Sequence, residues 1–150
     1  MIASDPDAGQ ILTYSILSGN TGSTFSVNSS TGALTVANSA TLNFESTPTF
    51  SLVVKVQDNG TGLLSSQATI TINLTNVNES PIIANQAFSV SENTANGTSV
   101  GTVVASDPDA GQLLTYSILS GNSGTAFALN SSTGVITVAN SALLNFGNNT

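Results

Sequence analysis

The sequence predicts an all-β fold: an antiparallel, Greek-key β-sandwich of the immunoglobulin-like kind, present as two tandem, incomplete repeats. Three observations predict it. The composition is dominated by Ser, Thr, Asn, Gly, Val, Leu and Ile, and helix-forming runs of Glu, Lys, Arg and Gln are absent, a mixture that favours strands and turns. Apolar residues alternate at period two in short runs bounded by Gly and Asn, the pattern of half-buried strands. Residues 3–44 align without a gap with 105–146, with 33 of 42 positions identical at an offset of 102. A period of that size is a small domain rather than a solenoid repeat.

The elements follow in order. "YSI" at 14–16 lies in an alternating strand, and "YSI" at 116–118 repeats it. "FSVNSSTGALTV" (25–36) reads as strand, turn, strand, with Gly32 supplying a positive φ, and "FALNSSTGVITV" (127–138) repeats that unit. "TFSLVVKVQD" (49–58) and "QATITINLTNV" (67–77) are two longer strands around "NGTG" (59–62), a hairpin-type turn. "AFSVSENTANGTSVGTVVAS" (87–106) predicts two more strands around Asn96-Gly97. Many short strands spaced by turns make a sandwich. The repeat phase divides the chain into 1–79, the C-terminal part of a first repeat, and 80–150, the N-terminal part of a second. A sandwich of ten-residue strands is roughly 33 Å long, whereas the six residues 76–81 reach about 20 Å, so they join two bodies rather than cross one.

Charge excludes several functions. Lys55 is the only basic side chain, against eight acidic ones. Phosphates could not be neutralised, so nucleic acid is not a partner, and an anionic membrane surface fails likewise. No run is long and apolar enough for direct membrane insertion. With no His and no Cys, zinc, thiolate and histidine chemistry drop out. The serines have no base partner, and Asp5 and Asp7 stand on one strand and cannot flank a sugar ring, so the chain does not read as an enzyme.

The eight acids are Asp5, Asp7, Glu45, Asp58, Glu79, Glu92, Asp107 and Asp109, each at a strand end or in a loop by this reading. Proline biases the residue before it towards extended backbone, so Asp5 and Asp7 are expected to project to one side, roughly 6–7 Å apart at Cα. A hard cation with six to eight oxygen ligands would settle two such carboxylates. Read alone, "SDPDAG" is as good a turn as an ion site.

The ordered set of motifs resembles cadherin repeats of the bacterial kind: "SEN" (91–93), "ASDPDAG" (3–9 and 105–111), "YSI", "STGALTV" and "STGVITV", "LNFE" (42–45), "QDNG" (57–60) and "NVNESP" (76–81). The resemblance spans nearly the whole chain and implies a cadherin-like sandwich with Ca2+ between successive repeats. It implies that the internal junction draws on Asn43, Glu45, Asn76, Asn78, Glu79, Asp107 and Asp109, with Pro81 stiffening the linker's exit. Asp5, Asp7 and Asp58 would face an upstream junction and Glu92 a downstream one. Asn43 and Asn76 stand where the family has Asp, leaving four carboxylates, and Gly147 replaces the Glu45 position in the second copy. One or two weakly held ions are therefore expected. The implied role is a Ca2+-rigidified adhesion module, extracellular or at the cell surface, within a larger repetitive protein. Its partners would be adjacent repeats or other copies of itself, with a cell-surface protein or polysaccharide as the further class. A calcium-independent stalk and a carbohydrate-binding module are the alternatives. The latter needs exposed aromatics, whereas Tyr14, Tyr116, Phe25, Phe44, Phe127 and Phe146 all lie in apolar patterns and read as core.

Overall fold

The computed structural model describes residues 1–145 and 147. The chain is all-β with antiparallel sheets, and its only helical pieces among the described residues are four single turns of 3-10 helix. It divides into two compact units, Met1–Val77 and Asn78–Thr150.

In the first unit the strands are β1 (Thr13–Ser18), β2 (Phe25–Val27), β3 (Leu34–Val36), β4 (Thr49–Gln57) and β5 (Ser65–Asn73). One sheet has the order β1-β4-β5, and β2 and β3 form a separate hairpin. The period-two pattern of β4 turns Phe50, Leu52 and Val54 inward, all buried. Phe25 of the hairpin meets Phe50 edge to face at 5.1 Å, and Ile16, Leu34, Leu42, Ile70 and Ile72 pack around them. Two layers thus share one core. Burying Leu52 completely stabilises the fold by about 2 kcal/mol. Tyr14 and Phe44 are half-buried.

The β4–β5 connection is wider than the four residues "NGTG". Register runs from Thr49↔Asn73 to Gln57↔Ser65, and the loop closes where the Asp58 N–H donates to the Leu64 carbonyl at 3.0 Å. Asp58 Oδ1 accepts from the Gly60 and Leu64 N–H groups at 3.0 and 3.1 Å, so this carboxylate holds the turn. At the other end of the sheet, Gly19 follows a bulge in β1. A Cβ there would stand 1.9 Å from the Ser51 carbonyl oxygen, so only glycine lets the chain pass this close to β4.

The second unit contains β6 (Ile82–Ile83), β7 (Ser99–Thr102), β8 (Ala105–Ser106), β9 (Phe127–Leu129) and β10 (Val135–Val138). A sheet of order β7-β10-β9 surrounds the buried Val138, and β6 pairs with β8. Phe127 and Tyr116 are half-buried; Phe146 lies outside the described residues. Two strand expectations need correction. Residues 87–92 form no strand, although the turn at Asn96-Gly97 and the strand after it are present. The backbone of Val104 is instead met by a side chain: the Gln86 amide accepts from the Val104 N–H at 2.9 Å and donates to its carbonyl at 2.8 Å. "YSI" at 116–118 is also not a strand, because the unit holds no counterpart of β4 among the described residues to pair with it.

The turn chemistry is the same in both units. Asn28 Oδ1 accepts from the Ser30 and Thr31 N–H groups, and Asn130 Oδ1 from those of Ser132 and Thr133. Gly32 and Gly134 follow with φ of 67° and 70°. Asn20 clamps both backbone groups of Phe25, and Asn122 clamps those of Phe127.

Candidate metal centre

The second Asp-Pro-Asp motif is positioned by strand pairing. β6 and β8 are antiparallel with Ile82↔Ser106 and Ile83↔Ala105. Continuing that register outward sets residue 79 opposite residue 109. The Glu79 N–H duly donates to Asp109 Oδ2 at 2.9 Å. Asp109 is buried, and its own N–H donates to Asp107 Oδ1 at 2.9 Å. Glu79 and Asp109 each offer a carboxylate oxygen within 4.8 Å of the other. Asn78 joins the group: its Oδ1 accepts from Gln112 Nε2 at 2.8 Å, and its Nδ2 donates to the Glu79 carbonyl at 3.1 Å. The second unit therefore brings together Asn78, Glu79, Asp107 and Asp109. Sequence reasoning missed Gln112, whose signal was its place as the last letter of the repeated "SDPDAGQ".

The motif is not the extended segment expected. Asp5 Oδ1 turns back to accept the Asp7 N–H at 2.8 Å, as Asp107 does for Asp109, and the chain bends over the proline. A short carboxylate satisfies a backbone N–H two residues on more readily than it stands free. The capacity for a cation survives, because an ionised carboxylate has about four lone-pair sites and this bond takes one.

In the first unit, Asp5, Asp7 and Asp58 line one concavity of about 250 Å³ together with Ser4, Pro6 and Leu12. Asp7 is exposed there, unlike its counterpart Asp109. Asn43 Oδ1 accepts from the Ser46 N–H at 2.7 Å and fixes the turn that carries the exposed Glu45. Asn76 is exposed in the run after β5. Glu92 is exposed beside Asn93, whose N–H donates to the Leu144 carbonyl at 2.8 Å.

Every candidate ligand atom is oxygen, a donor set for a hard cation. An oxygen–oxygen separation within 4.8 Å fits two ligands across one ion at about 2.3–2.6 Å each.

The family model that matches is the cadherin domain, over residues 1–75 and 86–145. Among curated proteins, human protocadherin Fat 1 is 35% identical over 139 residues, covering 89% of this chain and 3% of that protein. Human protocadherin-23 is 39% identical over 141 residues, covering 89% of this chain and 4% of that protein. The chain thus spans a few per cent of these relatives' length. Among solved structures, human protocadherin-24 EC1-2 superimposes with a TM-score of 0.73 at 26% identity, covering 99% of this chain and 68% of that one. Mouse cadherin-23 EC22-24 gives 0.67 at 30% identity, covering 85% and 42%.

Proposed function

The chain belongs to the cadherin domain family, and from that premise we propose that it is a calcium-binding adhesion module of an extracellular or cell-surface protein. The observation that carries this reading is the buried Asp109 carboxylate, bonded to the Glu79 N–H and close to the Glu79 carboxylate. The second unit supplies Asn78, Glu79, Asp107 and Asp109 as ligands. The family resemblance adds Asn43 and Glu45 from the first unit and Asn76 from the run before the boundary. In this reading Asp5, Asp7 and Asp58 belong to an upstream junction and Glu92 to a downstream one, each an incomplete ligand set within these residues, so neither adds to the ion count.

The ion supplies positive charge where the chain has almost none. Lys55, which donates to Gln57 Oε1 at 3.2 Å, is the single basic side chain against eight acids, so most of their charge must be balanced from solution. Four carboxylates with two Asn in place of Asp balance one or two divalent ions, not three. Removing the ions leaves like charges uncompensated. The module acts by holding neighbouring repeats or copies of itself, and it has no assigned reaction. The relatives named above are animal proteins, so placement in a large repetitive bacterial surface protein rests on the sequence resemblance alone.

The experiment is thermal melting with millimolar CaCl2 against chelator, paired with calorimetric titration. Extracellular sites bind at about 10⁻⁴–10⁻³ M, and calcium at a hundredfold over Kd stabilises by about 2.7 kcal/mol. Asp109→Asn should remove most of that gain at the Glu79 site, and Asp7→Asn should leave it in place. A melting temperature indifferent to calcium would instead identify a calcium-independent spacer. Three sites, or micromolar affinity, would overturn the one-or-two-ion assignment.

A further inference from the structure

The sequence contains two Asn-Gly steps, Asn59-Gly60 and Asn96-Gly97, and their surroundings differ at the atom that matters for spontaneous chemistry. We infer that Asn59 is a site of self-catalysed deamidation, poised by Ile11 and Asp58, and that Asn96 is protected. This inference concerns the calcium-free chain, because Asp58 is also among the proposed ligands that line the acidic concavity.

The reaction is an intramolecular acyl transfer. The Gly60 backbone nitrogen bonds to Asn59 Cγ, the Cγ–Nδ2 bond breaks, and Nδ2 leaves as ammonia. The resulting succinimide is opened by water. Attack at Cγ gives aspartate, and attack at the backbone carbonyl carbon gives isoaspartate. Two things promote the first step: a donor to the side-chain oxygen, where negative charge develops, and a base for the nitrogen's proton within hydrogen-bond reach.

Both are present at Asn59. The Ile11 N–H donates to Asn59 Oδ1 at 2.8 Å, the distance of an oxyanion donor. The Gly60 N–H donates to Asp58 Oδ1 at 3.0 Å. The Asp58 carboxylate takes that proton as the new bond forms and returns it to the departing Nδ2. Asn59 is exposed, so water reaches the product.

Asn96 has the first feature and lacks the second. Its Oδ1 accepts from the Ser141 N–H at 2.6 Å. The Gly97 N–H, however, donates to the Val138 carbonyl at 2.7 Å, beside the bond from the Val138 N–H to the Thr98 carbonyl. A peptide carbonyl is no base, and attack would first break that backbone pair, a loss of the size of one hydrogen bond.

The product has a structural consequence. The Ile11–Asn59 bond ties the end of the first "SDPDAGQ" segment to the β4–β5 turn. Deamidation places a new carboxylate on that tie, beside the concavity lined by Asp5, Asp7 and Asp58, and isoaspartate also lengthens the backbone there.

The test ages the full chain at neutral pH with chelator present and follows both sites by peptide mapping that separates aspartate from isoaspartate. Asn59 should convert about tenfold faster than Asn96, equivalent to about 1.4 kcal/mol in the barrier. Asp58→Asn, isosteric but unable to take the proton, should slow Asn59 by a similar factor and leave Asn96 unchanged. Equal rates, or a faster Asn96, would overturn the inference in the unsubstituted protein alone, even if the variant unfolds. A folded Asp58→Asn chain that deamidates at the original rate would also overturn it.

Discussion

Thr13–Ser18 and Thr115–Ser120 have the same six-letter sequence, TYSILS, and different structures. The first is β1, paired with β4 from Thr13↔Gln57 to Ile16↔Val54 and, past a bulge at Leu17, at Ser18↔Val53. The second is not a strand, and its Leu119 is almost fully exposed, whereas Leu17 is half covered. The hairpins beside them, Phe25–Val36 and Phe127–Val138, are built alike down to the Asn and Gly of their turns. The difference separates two kinds of instruction. A turn is written in adjacent residues and forms wherever they occur. A strand needs a second chain segment to accept its N–H and C=O groups, and without one the same letters stay irregular.

Substitution at equivalent positions can break this comparison, and the largest effect is expected at Gly19 and Gly121. Both have φ of 80°, but a Cβ at 19 meets the Ser51 carbonyl oxygen at 1.9 Å, and one at 121 meets nothing within 4 Å. Gly121→Ala should cost about 1–2 kcal/mol for the left-handed backbone alone. Gly19→Ala adds overpacking against β4 and should cost about 3–5 kcal/mol. Chemical denaturation of each variant checks the gap, and equal costs would mean that the β1–β4 approach is not a constraint.

A middle-sized effect concerns two positions that differ together. In the first unit Thr24 is fully buried and its Oγ1 lies 2.7 Å from Thr41 Oγ1; the two hydroxyls also reach the Thr21 and Asn38 carbonyls. At the same places the second unit has Ala126 and Leu143. A polar pair has been exchanged for an apolar pair, and neither form leaves a buried group unmatched. Thr24→Ala alone should therefore cost about 1–2 kcal/mol. Thr24→Ala with Thr41→Leu should recover most of it. A double-mutant cycle with no coupling would sink this account.

The smallest effect should be a similarity. Asn20→Ala and Asn122→Ala each remove a side chain that bonds both backbone groups of the phenylalanine five residues on. Each should cost about 1–2 kcal/mol. The two values should agree closely, because this motif is local and does not use β1 or β4. A large disagreement between them would show that even the turns depend on the missing strand partner.

The acidic residues show how far the site was legible. Their number, their place at strand ends and loops, and their motif order pointed to a cation and to the family, and the cadherin domain match agrees with the family. The shape of Asp-Pro-Asp was misjudged, since proline's preference for extended neighbours lost to an Asx hydrogen bond. Asp58 was legible as a motif letter, yet its work in closing the β4–β5 turn was not, because Gly60 and Leu64 meet it only once the loop is formed. Gln112 was overlooked for the same reason: its partner, Asn78, is 34 residues away.

By itself the sequence determined the all-β class, the Asn28–Gly32 and Asn130–Gly134 turns with the positive φ of their glycines, the turn at Asn96-Gly97, and the lack of His, Cys or a basic patch to supply chemistry. These follow from composition and from interactions between near neighbours. Only the tertiary structure decided which of two identical hexapeptides becomes a strand, why Gly19 cannot be replaced while Gly121 has space, and that Asp109 is buried against Glu79 while Asp7 is exposed. Each of those depends on the register between distant segments, and a pairing partner lies in the chain's geometry rather than in the letters beside it.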